Sequence, residues 1–63
     1  MGYKIKEARE SIKMSQVELA KKSEVSRTII SGLESGRITV TTTATIQKIA
    51  TALNKKLNDI FFE

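Results

Sequence analysis

Arg27, with Ser26 and Thr28 beside it and Ser31 one turn further on, is the group in this 63-residue chain whose side-chain types and spacing best suit chemistry on a polyanion. A guanidinium offers two parallel donors that match guanine O6 and N7, and a small hydroxyl hydrogen-bonds either base type or touches a thymine methyl. On a helix opening at Ser26, residues 26, 27, 28 and 31 face outward, with Ile29 at the margin, while Ile30 and Leu33 face a core. Such a row suits the reading of base edges in a groove. One good bidentate pair is worth about 1 to 3 kcal/mol of discrimination.

That helix needs a partner to set its angle. Ser15 precedes Glu18 by three residues, the spacing of a capping box, and Val17, Leu19 and Ala20 supply the apolar positions of a preceding helix. Only Ser23, Glu24 and Val25 separate the two. Two helices joined by so short a turn form a helix-turn-helix, whose second helix can enter a DNA major groove. Upstream, Ile5, Ala8 and Ile12 recur at helical spacing and predict a helix over Tyr3–Lys13, with Arg9 beside the apolar stripe and Met14 ending it.

Downstream, Gly36 is the expected left-handed cap of the recognition helix. Residues 38–43 are β-branched throughout, yet a lone strand has no partner in a helical chain, so a loop is preferred. In it Ile38 and Val40 are expected to tuck against the core, and one of Thr41, Thr42 or Thr43 to cap the next helix. Ile46, Ile49, Ala50 and Leu53 predict that helix from about Thr43 to Leu53, stopped by Asn54. Leu57 to Phe62 reads as a short final helix or turn, with Leu57, Ile60 and Phe61 closing the core. The expected fold is all-α, five helices in one domain over residues 1–63.

Composition bounds the rest. Eleven Lys and Arg against seven Asp and Glu give a net charge of +4, which favours polyanionic partners. With neither Cys nor His, a disulfide or structural metal is not expected, and no cofactor either. The scattered Ser, Thr and Lys have no orienting base, so an enzyme is not expected. No apolar run approaches the roughly 18 residues of a membrane span and no signal peptide is evident, so the predicted location is cytoplasmic.

From Ile5 to Phe61 the chain resembles the Cro/CI-type (lambda-repressor-like, XRE) helix-turn-helix family. The resemblance rests on Met14-Ser15-Gln16, Glu18-Leu19-Ala20, Val25-Ser26, Ile30-Ser31, Leu33-Glu34-Ser35-Gly36, Ile49-Ala50, Ala52-Leu53 and Ile60-Phe61, in that order and spacing. It implies sequence-specific binding to duplex DNA by a transcriptional regulator. It also implies that Gln16 holds a phosphate, that Ser35, Arg37, Thr42 and Thr43 form the matching clamp, and that Arg9 pairs with Glu34 in a partly buried salt bridge. The remaining lysines, Lys6, Lys13, Lys21, Lys22, Lys48, Lys55 and Lys56, read as solvated faces with a long-range field.

Two residues depart from the pattern. Gly32 stands where a longer polar side chain is common; it either allows close approach to DNA or marks relaxed sequence demand, and the second is preferred. Glu24 stands in the turn where glycine is usual. If the turn keeps a positive φ, glutamate imposes about 1 to 2 kcal/mol of strain, and otherwise the turn differs in shape. Phe62, beyond the inward positions, suggests a homodimer contact through the fifth helix, shared with Ile60, which would set two recognition helices about 34 Å apart on a palindromic operator. The alternative is an antitoxin-like module whose main partner is a protein, a toxin or polymerase.

Overall fold

A computed structural model describes residues 2–62, and side chains for residues 3–60. Five helices follow one another: α1 Ile5–Ser11, α2 Gln16–Ser23, α3 Arg27–Ser35, α4 Thr43–Ala52 and α5 Leu57–Ile60. α2 packs against both α3 and α4, α1 packs against α3, and α4 carries α5. The seam between them is filled by Ile5, Leu19, Val25, Ile30, Leu33, Ile46, Ile49, Ala50, Leu53 and Ile60, all buried. These are the positions that the three-and-four spacing selects, and their removal from water is the main force on so small a chain.

Caps decide where the helices start. Ser15 Oγ accepts from the Glu18 backbone N–H at 3.0 Å while the Glu18 carboxylate accepts from the Ser15 N–H at 3.0 Å, closing the predicted box. The Ser15 backbone N–H, and with it the Ser15 hydroxyl, favours the ionised acid and holds Glu18 below its ordinary value. Ser26 caps α3 through Ile29 N–H, and Thr42, one of the three threonines expected, caps α4 through Thr45 N–H.

Left-handed residues decide where they stop. Lys13 (φ 57°), Glu24 (φ 60°), Gly36 (φ 83°) and Asn54 (φ 59°) follow α1, α2, α3 and α4 in turn, so Gly36 and Asn54 act as the sequence predicts. At α1, Lys13 N–H donates to Glu10 O and Met14 N–H to Arg9 O, both at 3.0 Å. At α4, Asn54 N–H donates to Thr51 O at 3.0 Å and Lys55 N–H to Ala50 O at 2.9 Å. Both are Schellman closures, which satisfy carbonyls left over at the helix end.

The structure corrects several expectations. α1 is shorter than Tyr3–Lys13, and Ile12 falls beyond its last turn, where it is 49% exposed; buried Arg9 takes the inward place. Val17 is 44% exposed because it sits about 200° around α2 from Leu19, on the opposite face. Residues 37–42 form a loop, as expected, and Ile38 packs on the core, but Val40 is 80% exposed. The last helix ends at Ile60, and Phe61–Phe62 pair instead with Gly2–Tyr3 in a two-residue antiparallel ladder, Gly2 opposite Phe62 and Tyr3 opposite Phe61. Lys4 N–H extends it by donating to Ile60 O at 2.6 Å.

Candidate nucleic-acid interface

α3 offers its outer face because its inner one is consumed by the core. Arg27, Thr28 and Ser35 are exposed and Ser31 partly so, while Ile30 and Leu33 are buried and Ile29 is partly buried against them. Ser26, exposed at the N-cap, spends its hydroxyl oxygen on Ile29 N–H at 3.2 Å and keeps its proton to donate. Arg27, Thr28 and Ser31 therefore share the outer face of one helix, with Ser26 exposed at its N-terminal end.

Beneath this face runs a chain of polar contacts. Arg9 Nε and one terminal nitrogen donate to the two Glu34 carboxylate oxygens at 2.9 and 3.0 Å, and the other terminal nitrogen donates to Met14 O at 2.8 Å. This bidentate pair is the Arg9–Glu34 bridge expected above, and it is well shielded, the two side chains being 11% and 5% exposed. Burial alone pushes the Glu34 carboxyl up, yet the bonds from Arg9 and Gln16 outweigh it and hold the group below its ordinary value. The bond to Glu34 holds the Arg9 guanidinium above its own.

The chain continues outward. Gln16 Nε2 donates to Glu34 Oε1 at 3.1 Å, and Arg27 Nε approaches Gln16 Oε1 at 3.5 Å. Gln16, predicted to hold phosphate, is thus a partly buried link whose amide orientation is set by the buried acid, and Arg27 beside it is exposed. From sequence, Arg9–Glu34 is a pair, Gln16 a phosphate contact and Arg27 a base reader, with no link among them. A shared acceptor, Glu34 Oε1, joins them.

The proposed phosphate clamp is assembled from the end of α3 and the start of α4. Ser35 Oγ donates to Gly32 O at 3.2 Å and accepts from Arg37 N–H at 3.3 Å, shaping the turn that carries the exposed Arg37 side chain. Thr42 is engaged as a cap and Thr43 is exposed on the first turn of α4, beside free backbone N–H groups that favour an anion. The lysines at 6, 13, 21, 22, 48, 55 and 56 are all exposed, as expected of solvated faces.

A helix-turn-helix family model matches residues 5–60. The chain belongs to the Cro/CI-type (XRE) helix-turn-helix family. The match runs from the first residue of α1 to the last of α5, so the five-helix architecture and α2–α3 as its helix-turn-helix are those of the family. It is a family of DNA-binding regulators, and this helix-turn-helix domain is one of that kind. Among curated proteins nothing matches the chain. Among the described residues no His, Cys, Asp or Glu cluster could hold a metal, and no helix is long and apolar enough to cross a membrane.

The domain corrects two readings of its own sequence and decides a third. Ile60, expected at a dimer contact, is fully buried in the core beneath α4, so its side chain is committed inside the protomer. The side chains of Phe61 and Phe62, expected in the core and at the dimer contact, lie outside the described residues. Gly32 does not mark relaxed demand: a Cβ there would stand 2.6 Å from Ile38 Cγ1 and 3.3 Å from Ile38 Cβ. The glycine exists to seat Ile38. Glu24 does keep the positive φ of the turn and bears its strain. Sequence periodicity also misses Ser23, buried at the end of α2, whose Oγ donates to Leu19 O at 2.7 Å and accepts from Val25 N–H at 3.3 Å.

Proposed function

We propose that this protein is a sequence-specific double-stranded-DNA-binding transcriptional regulator, a cytoplasmic repressor that occupies a palindromic operator as a homodimer. The observation that carries the reading is the group of exposed Ser26, Arg27 and Thr28 and partly exposed Ser31 at the start of a helix whose opposite face is fixed in the core. Arg27 pairs with guanine O6 and N7 in the major groove, and Thr28, Ser26 and Ser31 contact neighbouring base edges. Gln16 on one side, and Ser35, Arg37, Thr42 and Thr43 on the other, hold the phosphates that set the register. Occupied operator blocks polymerase. Two copies joined near Phe62 place their recognition helices one helical turn of DNA apart, about 34 Å.

The test is selection of bound duplexes from a random pool. The reading predicts a two-fold symmetric consensus with half-site centres about 10 base pairs apart, and affinity that falls steeply with added salt. On that consensus Arg27→Ala removes one bidentate base contact from each half-site, each worth about 5- to 150-fold in affinity. Salt-independent binding, or an Arg27→Ala variant that binds every sequence as the parent does, refutes it.

A further inference from the structure

Gly32 lies four residues after Thr28, hence one turn further along the same side of α3. The recognition helix therefore has a gap in its side-chain cover next to its reading edge. The gap is filled from elsewhere: Ile38, in the loop after α3, lies over it, within van der Waals reach of where a Cβ would be. Its place is pinned on both sides. Ile38 N–H donates to Gly32 O at 2.9 Å, and Tyr3 Oη donates to the carbonyl of the next residue, Thr39, at 3.2 Å. Ile38 packs on the core with part of its surface and leaves the rest in solvent.

We propose that Ile38 is a further base-reading residue, taking the C5-methyl of a thymine on the flank of the recognition helix. This deepens the DNA-binding reading above and rests on it. The polar readers end at Ser31 and Thr28, and what the helix presents beyond Thr28 is aliphatic: Ile38 over Gly32, with partly buried Ile29 beside them. In the major groove the large apolar feature on a base edge is the thymine methyl, whereas the other bases present mainly donors and acceptors there. An aliphatic side chain set against the amino group of cytosine or adenine leaves that donor unpaired, so the same contact that rewards thymine rejects the other bases. Because the loop is hydrogen-bonded to α3, the methyl-sized surface is in place before DNA arrives. A side chain that serves only to plug Gly32 would instead be indifferent to the DNA.

The experiment alters the DNA first, which leaves the fold untouched. Each thymine of the selected consensus is replaced singly by uracil, which deletes the methyl and keeps the hydrogen-bonding edge. A single substitution at the contacted thymine should weaken the parent about fourfold, the value of one buried methyl. In Ile38→Ala that uracil penalty should vanish, while penalties at other thymines persist. Ile38→Val, which keeps the β-branch, should retain a reduced penalty, and thermal unfolding of each variant verifies that it is folded. Uracil penalties that are the same in the parent and in Ile38→Ala overturn the assignment and leave the DNA-binding reading standing. Failure to select any consensus overturns that reading and this one with it.

Discussion

Replacing Gly32 with alanine should destabilise the domain, although glycine-to-alanine exchange inside a helix ordinarily stabilises by about 1 kcal/mol. The added Cβ meets Ile38 Cγ1 at 2.6 Å and Cβ at 3.3 Å. Cγ1 is near the root of the side chain, so turning the outer torsion does not relieve the contact, and a β-branched residue that rotates χ1 offers its other branch. The loop backbone is held as well, by the 2.9 Å bond from Ile38 N–H to Gly32 O. Overpacking of this kind costs about 1 to 3 kcal/mol, which leaves Gly32→Ala about 1 kcal/mol less stable than the parent after the helix gain. In an Ile38→Ala background only the 3.3 Å contact with Cβ remains, and the same exchange should stabilise by up to about 1 kcal/mol. Equilibrium urea unfolding of the four proteins measures the coupling directly, expected at about 1 to 3 kcal/mol. A Gly32→Ala variant more stable than the parent, with coupling below about 0.5 kcal/mol, refutes the seating of Ile38 on Gly32.

Three further outcomes follow from the same geometry. Arg9→Met or Glu34→Leu alone leaves a shielded charge unpaired and should cost about 3 to 5 kcal/mol, while the double variant loses much less than the sum; additive losses in denaturant unfolding would contradict the bridge. Glu24→Gly removes left-handed strain of about 1 to 2 kcal/mol, against about 0.5 to 1 kcal/mol of added chain entropy. It also takes an acid from a helix C-terminus, so the thermal midpoint should rise by a few degrees. Glu34 and Glu18 sit below their ordinary value of 4.5 in the folded domain. Their contribution is present above that pH and lost as pH falls through the folded values, so stability should decline below about pH 4.5, and Glu34→Gln should start lower and decline less.

What could be read beforehand was what neighbours in sequence decide. The Ser15–Glu18 box, the caps at Ser26 and Thr42, the stop at Asn54 and the buried faces of α3 and α4 depend on residues within one turn of each other. The misreadings share the opposite property. Ile12 fits the apolar spacing of α1, but spacing cannot see that Lys13 goes left-handed and ends the helix two residues early. Val17 is apolar on the wrong face. Gly32 is explained by a side chain six residues away in a loop without regular structure, and the Phe61–Phe62 ladder depends on residues at the other end of the chain. At the candidate site, Arg27 and Gln16 were legible by type; their connection through Glu34 to Arg9 was not, since it runs through space between three helices.

The ladder between Gly2–Tyr3 and Phe61–Phe62 brings the two ends of the described chain side by side. A polypeptide attached to either end must leave the body at the same spot, and a host loop could be opened there and the whole domain dropped in with little stretch. Joining the ends by a short linker and cutting the exposed loop near Val40 would give a permuted chain that keeps α2 and α3 contiguous. The unit is therefore suited to be carried as a cassette, the exposed face of α3 unaltered by what it is spliced into.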